Sequence, residues 1–253
     1  EYHSNIAYLK FAPTVAYQVN DALSVGIALN AGYAMMEMRM PYSIDPLAMK
    51  GAVPGAGGMT FGQMFGAPQA QGGLGYDEVT AYADLKDGVT ANGWGAKLGV
   101  RYEVTNRMSF GASYTMKSTL DFSGNATMDM TSQFNNAYER MVMGALAGGA
   151  AQNPMNPTAQ ELQNAQAGVN QQLGGMGIDM AQGMADEYDV DIEFAWPRQF
   201  SVGGAYDLND KLRFALDLGW INWKDSMEKF VMQLKGGTNA NINAMMGTPD
   251  GSM

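Results

Sequence analysis

Apolar and polar residues alternate with a period of two over long stretches of this chain. In Leu23–Ala34 the odd positions are Leu23, Val25, Ile27, Leu29, Ala31 and Tyr33, and the even ones Ser24, Gly26, Ala28, Asn30, Gly32 and Ala34. Trp94, Ala96, Leu98, Val100, Tyr102 and Val104 likewise face away from Gly95, Lys97, Gly99, Arg101 and Glu103. Met108–Lys117 and Leu212–Trp220 repeat the pattern. Such alternation puts the two sets on opposite faces of a sheet. The runs pair into hairpins: Asn5–Val19 with Leu23–Met40, Gly93–Thr105 with Met108–Phe122, and Gln199–Leu208 with Lys211–Trp223. Their joints, Asn20-Asp21-Ala22, Asn106-Arg107 and Asn209-Asp210, have the polar chemistry of tight β-turns.

Two architectures fit alternating strands. A soluble sandwich buries one face, but its strands usually run about five to six residues. The runs here reach the roughly 9–11 residues that a tilted strand needs to cross a bilayer. Aromatic residues stand toward the ends of the apolar runs, at Tyr17, Tyr33, Trp94, Tyr102, Phe122, Tyr206 and Trp220, as interfacial girdles do. The expected fold is therefore all-β, a transmembrane antiparallel β-barrel with about six strands present. Short turns then face the periplasm. Two long connections, about Pro41–Asn92 and Ser123–Ala195, become extracellular loops.

Composition narrows the functional classes. The 253 residues include 32 Gly, 22 Met, one His and no Cys, with 16% charged residues and a formal net charge of −10. The acidic balance argues against nucleic-acid binding. Without Cys, and with His3 alone, the usual zinc sites and a His-based nucleophile activation are missing. No enzyme activity, metal or other cofactor is expected. Gly55-Ala56-Gly57 fails as a dinucleotide fingerprint because Thr60 stands where the third Gly belongs. Met35-Met36-Glu37-Met38-Arg39-Met40 offers soft sulfur of the kind that suits Cu(I), but any alternating strand would bring Met36, Met38 and Met40 to one face.

The long connections carry their own signals. Glu78–Leu85 reads as a strand extension followed by a turn at Asp87-Gly88. Met130, Phe134, Tyr138, Met141, Val142 and Ala145 follow helical spacing. Thr158 and Glu161 predict a capping box opening a second helix to about Leu173, stopped at Gly174-Gly175. Ser123–Glu187 holds eight Met, and one Arg against six acids gives it a charge of −5. These methionines either pack the loop helices together or form an adaptable groove for a greasy ligand.

Several blocks resemble the FadL/TodX family of outer-membrane transport proteins. They are Ala12-Pro13-Thr14-Val15-Ala16-Tyr17-Gln18-Val19-Asn20-Asp21, Gly93-Trp94-Gly95-Ala96-Lys97-Leu98-Gly99-Val100-Arg101-Tyr102-Glu103, Leu120-Asp121-Phe122-Ser123-Gly124, and Trp196-Pro197-Arg198-Gln199-Phe200-Ser201-Val202-Gly203-Gly204-Ala205-Tyr206. Asn209-Asp210-Lys211-Leu212 and Trp220-Ile221-Asn222-Trp223-Lys224-Asp225 follow in family order. The resemblance implies a barrel of about 14 strands plugged by a hatch, and passive uptake of long-chain fatty acids or other hydrophobic compounds. Cargo would be captured at an extracellular groove and released sideways through the wall. The strand count, and the lack of a hatch segment and of an aromatic-ended final strand, lead to the expectation that residues 1–253 are an internal part of one barrel domain.

Apolar ligand is then expected to meet Met59, Phe61, Met64, Phe65, Met130, Phe134, Met141 and Met143. Lys97, Arg101 or Lys117 could hold a fatty-acid carboxylate; alternatively they pair with Glu103 and Asp121. The expected partners are a hydrophobic small molecule and outer-membrane lipid, with oligomeric state left open. A docking barrel with partner-binding loops and an open porin for polar solutes are the rival readings.

Overall fold

A computed structural model describes residues 2–85, 88–226 and 231–252. The strands are β1 (His3–Phe11), β2 (Thr14–Gln18), β3 (Leu23–Ile44), β4 (Val79–Asp84), β5 (Val89–Thr105) and β6 (Met108–Thr115). They continue as β7 (Ser118–Asp129), β8 (Ala185–Trp196), β9 (Gln199–Asn209), β10 (Leu212–Ile221), β11 (Met232–Lys235) and β12 (Gly251–Ser252). All twelve join one antiparallel sheet in the order β10-β9-β6-β5-β3-β4-β7-β8-β11-β12, with β1 and β2 also on β3. The tight joints work as their composition predicts. Asn20 Oδ1 accepts hydrogen bonds from the amides of Ala22 and Leu23, Thr105 Oγ1 from Arg107, and Asn209 Oδ1 from Lys211.

The segments line up end to end. β3 pairs with β5 from Leu23–Tyr102 to Met36–Val89, then with β4 from Arg39–Asp84 to Ile44–Val79. β4 and β5 thus pair one after the other along β3, and the expected strand at Glu78–Leu85 is present as β4. The Asp87 half of the expected turn lies outside the described residues. β6 and β9 pair up to Thr115–Gln199, and β7 and β8 resume on the same register at Ser118–Trp196. The run expected over Met108–Phe122 is therefore two segments, interrupted at Met116-Lys117, opposite the break at Pro197-Arg198.

The interruption inverts the strand faces. In β6 the even positions Met108, Phe110 and Tyr114 lie with the apolar set, facing away from the Gly- and Ser-rich side. In β7 the even positions Leu120, Phe122, Ala126 and Met128 are buried on the other side. β3 has no such break, and its even positions show that the two regions share one face. Ser24, Gly26 and Ala28 line an open trough, and Ala34 and Met36, further along the same face, are buried. Phe122, expected in an aromatic girdle, is instead 2% exposed inside the protein. The reason is this one-residue change of phase, which period-two counting from Met108 cannot see.

The sheet thus has two zones. Near the tight turns, the outer face is apolar and exposed (Val100, Val202 and Leu218) and the inner face is small and polar. Beyond the interruption, the inner face is apolar and buried. The outer face there carries Asp121, Ser123, Asn125, Glu187, Asp189, Asp191 and Glu193, all exposed.

The long connections are shorter than expected because the strands extend into them. They span about 45–78 and 130–184, with a third at 236–250. They fold into α1 (Phe61–Gly66), α2 (Thr131–Ala145), α3 (Ala159–Gly175) and α4 (Ala240–Met246). Thr60 with Gln63, and Thr158 with Glu161, form capping boxes at the starts of α1 and α3. Three hydrogen bonds to the Glu161 carboxylate, from the Gln152 and Thr158 amides and the Thr158 hydroxyl, lower its pKa. A carboxylate with a depressed folded pKa stabilises α3 above its ordinary pKa, and that support fades as pH falls through the folded value.

Two tests follow from this packing. A Cβ on Gly93 would stand 2.5 Å from Leu120 Cδ2 and 3.1 Å from both Ser118 Oγ and the Thr119 carbonyl. Gly93→Val should cost about 1–3 kcal/mol in urea unfolding through overpacking, and an unchanged midpoint would contradict the contact. Helical circular dichroism should hold steady down to about pH 4.5 and weaken as pH falls further, with a smaller acid-dependent loss in Glu161→Gln.

Candidate functional site

The loops meet over the inner face of the sheet. Phe61, Met64 and Phe65 of α1 pack against Phe134, Ala137, Tyr138 and Met141 of α2, with Leu173 of α3, Ile178 and Met245 of α4 closing the cluster. The space left among them is about 10 Å³, room for one water at most. Five of the eight residues singled out for apolar ligand thus come together, as a filled layer rather than an open groove. Phe61, Met64, Phe65 and Phe134 are all buried.

The other three lie apart from this cluster. Met130 is buried beside a separate apolar cavity of about 90 Å³ with Tyr42, Ile44, Val79, Tyr188 and Met246. Met59 stands 37% exposed in the turn before α1, and Met143 points outward at 52%. Burial pushes the Tyr188 hydroxyl up to about 12, with the Asp186 charge adding to it, so the ring borders this cavity as a neutral group.

Specific polar contacts clamp the layer. Arg140 of α2 lies 4.0 Å from the Tyr76 ring centroid and donates to the Leu74 carbonyl at 2.7 Å. Tyr76 donates to Asn136 Oδ1 at 2.6 Å, which fastens the first loop to the second. Burial raises the Tyr76 pKa, Arg140 opposes that shift and Glu139 adds to it. α4 is held by a buried knot. Asp186 accepts from the Asn239 amide and the Thr238 hydroxyl, and Asn241, fully buried, donates to the carbonyls of Asp179 and Gly183. Sequence reasoning missed α4, although Asn239 as cap and Gly247 as stop mark its ends.

Below the layer, the open trough has a volume of about 730 Å³. Gly26, Gly99, Gly111 and Gly203 keep it wide, and Lys97, Arg101 and Asp217 are its charged lining. Arg101 is paired with Glu103 at 2.9 Å, the ion pair weighed from the sequence. Lys117 does not pair with Asp121. The strand break carries it to the Asp225 carbonyl, 3.1 Å away, and Asp225 also binds Arg198. The three cations therefore do not converge on one anion site. No group of three or more His, Cys, Asp and Glu side chains is arranged for a metal among the described residues, and Met36 is buried in the general core.

Comparison with known proteins agrees with this architecture. A stretch of 122 residues is 30% identical to the long-chain fatty acid transport protein of Escherichia coli K12, covering 48% of this chain and 26% of that protein. The Shigella flexneri protein of the same name is 29% identical over 126 residues, with the same coverage. Among solved structures, the Ralstonia pickettii toluene transporter TbuX superposes with a TM-score of 0.56 at 20% identity, over 95% of this chain and 47% of that one. The CymD monoaromatic hydrocarbon channel gives 0.57 at 17% identity, over 100% and 52%. The chain thus spans about half the length of these structures, and its match covers about a quarter of the fatty-acid relatives. The family model for the outer membrane protein transport proteins (OMPP1/FadL/TodX) matches residues 2–246, and the chain belongs to that outer-membrane transport family.

Proposed function

We propose that this chain forms part of a closed transmembrane β-barrel that carries hydrophobic compounds passively across the outer membrane. The observation that carries the reading is the vertical order on one sheet face, a Met- and Phe-rich layer directly above a wide, small-residue trough. The tight turns are periplasmic and the helical layer is extracellular. The exposed apolar outer face faces lipid, and the acidic outer face beyond the strand breaks stands in water. Barrel closure satisfies the strand edges that hydrocarbon leaves unpaired.

Apolar cargo is captured in the layer, at Phe61, Met64, Phe65, Phe134 and Met141, with Met130 and its cavity beside them and Met59 and Met143 on the outside. Each buried CH₂ contributes about 0.8 kcal/mol, so an alkyl or aromatic body binds without polar recognition. The filled packing means that cargo enters as the helices part, and flexible methionines lower the cost of repacking. Lys97 and Arg101 offer a carboxylate head a landing place in the trough. The names of the relatives, fatty acid transport protein and toluene transporter, support a cargo class spanning both shapes. An open porin fits less well, because the loops pack into a filled apolar layer with about 10 Å³ left among its core residues.

Replacing both Phe134 and Met141 with Asp should lower hydrophobic uptake by cells about tenfold or more, because burying unpaired charge costs several kcal/mol. Unchanged uptake, with normal heat-modifiable gel mobility as the mark of a folded barrel, would overturn capture in the layer. Val202→Arg on the outer face should cost about 2–4 kcal/mol in urea unfolding from lipid vesicles, and Ser201→Arg on the trough side much less. Equal costs would overturn the lipid-facing assignment.

A further inference from the structure

The boundary between the loop layer and the trough has its own structure. Counting along the inner face, Ala28, Lys97, Thr115 and Gln199 share the uppermost trough row. The next row holds Asn30, Gly95, Ser118 and Trp196. Asn30 and Ser118 are 7% and 9% exposed, so at this level the open trough gives way to packed interior.

Two aromatic rings meet at this level from distant strands. Tyr8 comes from β1 and Trp196 from β8, which are not neighbours in the sheet. Their ring centroids lie 5.4 Å apart at 45°, and Phe194 holds Trp196 edge-on at 5.5 Å. Rings at such separations are in contact and leave no passage between them. The backbone makes room for this crossing. Tyr8 lies over Gly32 where a Cβ would collide with its hydroxyl and ring, and Gly95 lies bare beside Ser118. Two glycines in a strand interior weaken it, and here they mark close approach of a neighbour. Both aromatic residues pack against the buried core above them.

We propose that Tyr8 and Trp196 form an aromatic constriction that sizes hydrophobic cargo as it leaves the loop layer for the trough. The assignment rests on the transport reading above, and adds two specificity-determining residues to it. A slender chain passes with a small rotation of one ring. A branched or fused-ring compound requires both rings to swing away together, against the packing of Phe194.

The test uses the full-length protein in outer membranes of cells lacking any other hydrophobic carrier. Uptake of a fused-ring hydrocarbon is measured relative to a straight-chain one of similar hydropathy. Trp196→Ala should raise that ratio about tenfold, the order of discrimination a tight apolar pocket achieves per misfitting group. Tyr8→Ala, which leaves the β7–β8 ladder untouched, should act the same way and serves if Trp196→Ala fails to fold. Tyr8→Phe and Trp196→Phe keep a ring in place and should stay near the wild-type ratio. An unchanged ratio in a folded alanine variant overturns the constriction and leaves the transport reading standing. Wild-type uptake of both compounds no better than that of cells without the protein overturns both.

Discussion

An antiparallel ladder fixes which strands are neighbours but leaves open which face is apolar, and this chain depends on reversing that choice part-way along its strands. β6–β9 and β7–β8 keep one register through the interruption, so backbone pairing is not lost. The side chains change phase by one residue, however, and all of their environments change with it. Below the break, apolar residues point outward and small or polar ones inward. Above it, Leu120, Phe122, Val190 and Ile192 turn inward and Asp121, Asp189, Asp191 and Glu193 turn outward. A strand of unbroken phase could serve one solvent arrangement only. In the proposed barrel, the break lets one strand stand in lipid at one end and in water at the other.

The loop layer follows from that reversal. An apolar inner face above the break needs a cover, and the three connections supply it through α1, α2, α3 and α4. Their contacts are mutual. The Gly51 amide donates to the Met245 carbonyl at 2.9 Å, and Arg140 and Tyr76 join the first and second loops. The methionine excess thereby acquires a physical place, since Met64, Met130, Met184 and Met245 are buried in this cover while Met143 and Met155 remain exposed. In the proposed transport reading, a lid of thioethers over a trough of glycines suits apolar cargo of variable shape, because neither surface demands a particular polar partner.

Much of this was legible from the residues. Period-two patterning located the longer strands but not β11 or β12, the Asn- and Asp-rich joints located the hairpins, and Thr158 with Glu161 located a helix start within a connection outside the resembling blocks. The candidate ligand residues were drawn from the right connections, yet only five of them converge. Met59, Met130 and Met143 could not be sorted from the rest, because loop sequence carries no period that reports direction. Lys117 illustrates the same limit. Its expected partner, Asp121, is four positions along the chain, but the strand break turns the two apart and Asp225 takes the bond.

The sequence by itself determined the strands, the turns that join them and the chemical character of each face, because these depend on neighbours one to four residues apart. Only the tertiary structure decided where the faces invert, how three connections share one core, and that Tyr8 meets Trp196. Those outcomes depend on residues brought together from opposite ends of the sheet. A one-residue change of phase at Met116-Lys117, invisible in composition, decides which of two faces each later residue joins.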